Sequence, residues 1–204
     1  MKVVSVPLGS RGADMAQALT SAAAQALRGA GLDYVCRYLG GLDPHELDEI
    51  LAADLGLQLV TYSRAPGWAP SRAIGQSDGA TDLAHLQALS VPAGALVWID
   101  LEGVSGTAAD TAAWIDARSA VLVGAGYVAG AYVGDSPILN GAELYALVHV
   151  SRYWRGFNQG IPEPKCGWCQ LQTFPPNQML AGIEIDRDFA QSDYAGRVPL
   201  MLVA

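Results

Sequence analysis

The string Leu96-Val97-Trp98-Ile99-Asp100-Leu101-Glu102-Gly103 runs apolar residues straight into two carboxylates spaced i, i+2. On a strand that spacing points both side chains to one face, roughly 6–7 Å apart. Two acids buried side by side are costly unless they are paired or one is protonated, and their repulsion raises one pKa toward what a general acid needs at neutral pH. The plainer reading is a strand-end Asp that caps the next helix beside a solvated Glu. A second string, Gly182-Ile183-Glu184-Ile185-Asp186-Arg187-Asp188-Phe189, alternates acids with other residues. Three carboxylates on one face cannot all lie inside a packed barrel. The expected compromise puts Asp186 near the carboxyl end of its strand facing the site, Asp188 just beyond it, and Arg187 as counter-charge. An edge strand with a solvated polar face fits the same composition.

Aromatic rings at strand ends can stack on the apolar faces of sugars, and Tyr62, Tyr132, Trp154 and Trp168 each fall at or just after an expected strand end. Each taken alone is equally a core or loop anchor. Cys166-Gly167-Trp168-Cys169 has C-x-x-C spacing, but a zinc site needs two further ligands; Cys36 is one candidate, and His45, His85 and His149 lack paired metal spacing. A redox pair would follow an early strand and open a helix. The cysteines therefore read as structural thiols or a loop-closing disulfide, and the reading calls for no metal and no cofactor. Gly9-Ser10-Arg11-Gly12 lacks the dinucleotide fingerprint, and neither a phosphate-binding loop nor a Gly-x-Ser-x-Gly elbow is present.

The elements that must position these groups are strand-length apolar runs alternating with Ala- and Leu-rich helical spacing. Strands are expected at Val3–Leu8, Tyr34–Leu39, Leu57–Tyr62, Ala95–Leu101, Tyr127–Val133, His149–Tyr153, Trp168–Gln172 and Gly182–Phe189. Helices are expected over Asp14–Arg28, from Asp43-Pro44 to before Gly56, near Thr81–Leu89, and over Thr107–Val123 and Ala142–Leu147, with a loop from Ala65 to Gly75. The alternation implies an α/β fold with a parallel sheet, and the missing glycine fingerprint favours a closed barrel over an open sheet. With 204 residues, a (β/α)8 TIM-like barrel must be small and irregular, with short or missing helices near the C-terminus. Residues 1–204 read as a single domain.

The chain has 12 basic and 20 acidic residues, a formal charge of −8, and is 51% hydrophobic. Phosphate binding needs clustered Lys and Arg, so nucleic acid is not an expected partner. No apolar stretch reaches the ~20 residues of a membrane span, so membrane insertion is not expected either. Residues 1–12 lack a signal-peptide core, and three cysteines do not make a secreted disulfide framework. The expectation is synthesis in the cytoplasm, with release by lysis or delivery by a phage or secretion system.

Asp100-x-Glu102 on a mid-chain strand, Trp168-Cys169-Gln170 on a late strand, and Ile185-Asp186 with Asp188 on the last strand resemble the family-25 glycoside hydrolases, lysozyme-type muramidases. The chain is more similar to the glycoside-hydrolase-like domains of unknown function related to them. The motifs behind that likeness are Gly12-Ala13-Asp14, Arg37-Tyr38-Leu39-Gly40-Gly41, Gly75-Gln76-Ser77-Asp78-Gly79 and Pro92-Ala93-Gly94. The resemblance implies a small irregular barrel with an acidic pocket at its carboxyl face, acting on a cell-wall polysaccharide of the peptidoglycan type. It makes Glu102 the proton donor, with Asp100, Asp14 and Asp186 positioning water and steadying an oxocarbenium-like transition state. Tyr62, Tyr132, Trp154, Trp168, Gln170 and Asp188 would bind the glycan. The carboxylate spacing lies between those of retaining and inverting enzymes and selects neither. Two departures stand out: the family's first strand ends in its Asp, whereas Val3–Leu8 precedes Asp14 by several residues, and Cys169 breaks the lysozymes' Trp-Gln-Tyr string. The rival reading is a non-catalytic carbohydrate-binding domain on a degenerate barrel.

Overall fold

The computed structural model describes every residue except Ser63, Ser136 and Gln159. Its strands are β1 (Lys2–Ser5), β2 (Arg11–Met15), β3 (Tyr34–Tyr38), β4 (Gly56–Thr61), β5 (Leu96–Asp100), β6 (Val128–Val133), β7 (Val150–Arg155), β8 (Gln170–Leu180), β9 (Ile183–Ala190) and β10 (Leu200–Val203). Its α-helices are α1 (Ser21–Gly29), α2 (Pro44–Ala52), α3 (Arg72–Ala88), α4 (Ala108–Gly124) and α5 (Gly141–Tyr145). Strands β2 through β9 pair in chain order and close where β9 meets β2, giving an eight-stranded barrel. Outside it, β1 and β10 pair antiparallel, and Leu202 of β10 sits opposite Leu57 of β4.

The strands β2 to β8 run parallel, while β9 is antiparallel to both its neighbours. This departs from the all-parallel expectation, and the chain between β8 and β9 gives the reason. Leu180 pairs with Ile183 across only Ala181 and Gly182, both at positive φ. A two-residue turn of that kind forces a hairpin; a parallel return needs a crossover of a dozen residues or more. Among the described residues no helix follows β7, in line with the shortened carboxyl-terminal part expected of a chain this small.

Alternation along each strand separates two apolar layers. Val35, Leu57, Leu59, Val97, Ile99 and Ala131 belong to the core shared with the helices, whereas Tyr34, Cys36, Val60, Trp98, Tyr132 and Trp154 pack together inside the barrel. Several local expectations hold: Asp43 caps α2 through Glu46 N with Pro44 in the first turn, and Thr107 caps α4 through Asp110 N.

Others need correction. Residues 14–20 are not helical: Arg11–Met15 is a strand, and α1 starts at Ser21 behind the Thr20 cap. Asp14 therefore lies at the carboxyl end of a barrel strand after all, and β1, which covers only the first half of the strand expected at Val3–Leu8, lies outside the barrel. Helix α3 begins at Arg72, inside the expected loop, and β8 continues through Pro175 and Pro176 to Leu180.

Candidate active site

Asp14, Asp100 and Tyr132 lie at the carboxyl ends of β2, β5 and β6, and Asp186 is drawn to the same mouth because β9 runs the other way, directly opposite Asp14. The link between them is Gln172 of β8. Its Nε2 donates to Asp14 Oδ2 at 2.8 Å and to Asp186 Oδ2 at 3.1 Å, while its Oε1 accepts from Phe157 N at 3.1 Å. The Tyr132 hydroxyl lies 3.2 Å from both Gln172 Oε1 and Glu102 Oε1, so its single proton serves one at a time. One amide thus joins two acids on one side of the mouth to a phenol that touches the third.

Glu102 is not on an extended strand. Strand β5 stops at Asp100, whose Oδ1 accepts from Glu102 N at 2.7 Å, and the chain turns at Gly103. The two carboxyls consequently do not project in parallel: Asp100 is buried beneath while Glu102 is half-buried at the rim. Glu102 Oε1 also accepts from Asp135 N at 3.2 Å. A Cβ at Gly134 would fall 1.8 Å from Glu102 Oε1, so only glycine lets the carboxyl lie there.

A buried ion pair holds the end of β2. Arg37 Nε meets Glu46 Oε1 at 2.6 Å, and its Nη1 donates to the carbonyls of Met15 and Ala16 at 2.7 and 2.9 Å. Glu46 Oε1 in turn accepts from Leu19 N at 2.9 Å. This clamp, whose Arg lies just before Tyr38, fixes the two residues that follow Asp14.

Burial dominates the electrostatics. It pushes the Asp14 carboxyl up to about 8 against the Gln172 hydrogen bond, with the charges of Asp186 and Glu102 adding to the rise. Asp100 is likewise pushed up to about 8 by burial and then by the charge of Glu102. The hydroxyls of Tyr38 and Tyr132 are raised by the same desolvation and stay protonated. Beside the Asp14–Asp186 pair a cavity of ≈170 Å³ is lined by Asp14, Tyr38, Asn177, Glu184 and Asp186, among others. Among the described residues no group of three or more His, Cys, Asp or Glu is arranged to hold a metal ion.

The structure thus brings Asp14, Asp100, Glu102, Asp186 and Tyr132 to one mouth, with Tyr62 exposed at the rim and edge-on to Tyr38 at 6.2 Å. Four of the expected glycan contacts lie elsewhere. Trp154 points into the barrel, where its ring supports Tyr132 at 4.4 Å and Trp98 at 5.7 Å. Trp168 is buried in the outer core. Gln170 and Asp188 are in the barrel interior, where Gln170 Nε2 and Asp188 Oδ2 lie 3.6 and 3.7 Å from Cys36 Sγ. Asp188 was expected beyond Asp186 on the open side; the reversed β9 puts it one layer deeper, opposite Gly12. Sequence reasoning overlooked Gln172, although the Gln170-x-Gln172 alternation that sends one amide inward sends the other to the mouth. Cys36, Cys166 and Cys169 are free, buried thiols.

Chains of known family share this architecture. The Rv2525c-like, glycoside hydrolase-like domain family matches residues 2–194. The chain belongs to that family. No curated protein is a significant sequence match. Among solved structures similar to this Rv2525c-like domain is the Tat-secreted protein Rv2525c of Mycobacterium tuberculosis, in complex with L-tartrate. It is 16% identical, with a TM-score of 0.68, over 94% of this chain and 99% of that one. The bacterial lysozyme of Streptomyces coelicolor is 13% identical with a TM-score of 0.64, over 92% and 94% of the two chains. The modular autolysin LytC of Streptococcus pneumoniae, in complex with a synthetic peptidoglycan ligand, is 13% identical with a TM-score of 0.65, over 88% of this chain and 46% of that one. At these identities the likeness is one of fold. The family match carries the glycoside hydrolase-like assignment.

Proposed function

We propose that the chain hydrolyses a glycosidic bond in a cell-wall polysaccharide of the peptidoglycan type. The observation that carries this reading is the convergence of Asp14, Asp100, Glu102 and Asp186 on one barrel mouth, tied together through Gln172 and Tyr132. Glu102 is the proton donor. Its Oε1 takes the hydrogen bonds from Tyr132 and Asp135 N, which orients the carboxyl and leaves Oε2 to carry the proton to the glycosidic oxygen. Beneath it, burial and then the charge of Glu102 push the Asp100 carboxyl up to about 8, and its Oδ1 accepts from Glu102 N and so fixes the backbone of the donor.

The acids Asp14 and Asp186 face Glu102 from the far side of the barrel: β5 and β9 stand four strands apart in either direction around the ring. An acid on one side of the bond and carboxyls on the other is the arrangement glycoside hydrolysis requires. Gln172 shares its amide protons between Asp14 Oδ2 and Asp186 Oδ2, which holds both carboxyls in place beside the position of the incoming water. The ligand bound by LytC and the lysozyme named above support peptidoglycan as the substrate class. A wall glycan would be reached after lysis or through a phage or secretion system.

The test is release of new reducing ends from purified peptidoglycan. The wild type should release them, and Glu102→Gln should lower the rate by about 10²–10⁴-fold. No release by the wild type, or undiminished release by the variant, overturns the proposal. Glycan binding that survives Glu102→Gln with no turnover by either protein would instead mark a carbohydrate-binding domain.

A further inference from the structure

Two aromatic side chains at the mouth stand out by exposure. Tyr62 directly follows β4 and is 45% exposed; Phe174 lies on β8, two residues past Gln172, and is 76% exposed. Going around the closed barrel, three strands lie between β4 and β8 in either direction, so the two residues stand on opposite sides of the mouth. An eight-stranded barrel with the usual strand spacing and tilt is about 15 Å across.

Each ring stands on a built support. Tyr62 packs edge-on against Tyr38. Phe174 opens a bulge of residues 174–177 that sits opposite the single residue Asp186, between the pairs Thr173–Arg187 and Gln178–Ile185. The bulge is anchored at three points: Thr173 Oγ1 donates to Arg187 O at 3.3 Å, Gln178 Nε2 donates to Pro175 O at 2.7 Å, and Asn177 N donates to Asp186 Oδ1. Asn177 of the same bulge lines the acidic cavity, and the bulge stands opposite Asp186, which places Phe174 at this side of the mouth. The acidic cavity of ≈170 Å³ spans the interval between these supports. Tyr38, which carries Tyr62, lines it on one side, and Asn177, in the bulge that carries Phe174, lines it on the other.

We infer that Tyr62 and Phe174 are the two stacking platforms of a glycan trough that crosses the mouth over Asp14 and Asp186. The inference rests on the reading of the site as a glycan-cleaving one and adds which residues grip the sugars on either side. A pyranose presents an apolar face to each ring, while its hydroxyls reach the carboxylates and amides between them. Solvent-exposed Phe174 has no other partner among the described ring contacts. Since the bulge bonds directly to Asp186, glycan held on Phe174 is held in register with that acid.

The test measures binding in a Glu102→Gln background by calorimetric titration with soluble peptidoglycan glycan strands and, in parallel, with their disaccharide unit. Phe174→Ala should weaken strand binding about tenfold while leaving disaccharide binding within about twofold, and Tyr62→Ala should do the same. Phe174→Trp should restore the strand affinity, which a merely structural role would not predict. Circular dichroism checks that each variant is folded. Strand binding unchanged by Phe174→Ala overturns the inference and leaves the proposed function standing. No strand binding by the Glu102→Gln protein, together with no turnover by the wild type, overturns both.

Discussion

The barrel carries two polar layers of nearly the same composition, one residue pair apart. At the mouth are Asp14, Gln172 and Asp186; one residue pair deeper along β8 and β9 are Gln170 and Asp188, beside the thiol of Cys36. The upper acids border a cavity and are bridged by Gln172. In the lower layer Asp188 is fully enclosed beside a thiol, and burial with the charge of Asp14 pushes its carboxyl well above the usual range. Burial raises the carboxyls of both Asp14 and Asp188, so what separates the layers is access: only the upper acids border the cavity, and under the proposed function depth along the strand, rather than residue type, decides which acids meet a substrate.

The sharpest way to break this contrast is to treat both layers alike. Asp186→Asn should lower glycan turnover by about two orders of magnitude with little change in melting temperature. Asp188→Asn replaces a carboxyl that is already neutral with an amide of the same shape, and should leave turnover within about threefold. Equal losses of activity from both would mean that the layers are not distinct.

A second test uses Asp100, which joins features of both: it is buried, yet touches the mouth through Glu102 N. Its carboxyl titrates near 8 in the fold, above the 3.8 of the free side chain. Between those values the folded state holds a proton that the unfolded chain has lost. Stability from this group is therefore complete at low pH and falls as pH rises toward 8, by about 1.4 kcal/mol per pH unit. Thermal unfolding of wild type and Asp100→Asn should accordingly diverge from pH 5 to pH 7 by about 3 kcal/mol in favour of the variant. A constant difference across that range would place Asp100 in solvent-like surroundings. A smaller loss than that of Asp186→Asn is expected from Gly134→Ala, whose added methyl displaces Glu102. Turnover should drop about tenfold while Asp100, one layer down, keeps the same pH dependence of stability.

The strands β5 and β6 were legible because each carries an uninterrupted apolar run, β3 and β4 because theirs is broken by only one polar residue, Arg37 and Gln58, and the Asp100–Glu102 pair was legible because it follows the run of β5. What was hidden has specific causes. Arg11-Gly12-Ala13-Asp14-Met15 presents only Ala13 and Met15 to the core, too short a pattern to compete with the Ala-rich sequence after it. Gly75 and Gly79 look like helix breakers, but added Cβ atoms there would lie 2.2 Å from Trp114 O and 2.8 Å from Arg118 O. They mark the place where α3 and α4 approach most closely, and Asp82 and Arg118 pair across it at 2.6 Å. Pro175 and Pro176 read as the end of a strand, whereas they sit in a bulge within one. The reversal of β9 rests on a two-residue turn, and without it Asp186 and Asp188 exchange their apparent depths.

That reversal also gives the mouth an adjustable side. The connections between the parallel strands must each return to the bottom of the barrel before the next strand begins, through a helix from β2 to β7 and, among the described residues, without one between β7 and β8. The β8–β9 arm only rises above the rim and comes back, so residues can be added to it in pairs without disturbing any register below Thr173. Each added pair raises the wall by about 3.3 Å. Length added to this arm therefore changes the height of one wall of the mouth and leaves the acids beneath it in place.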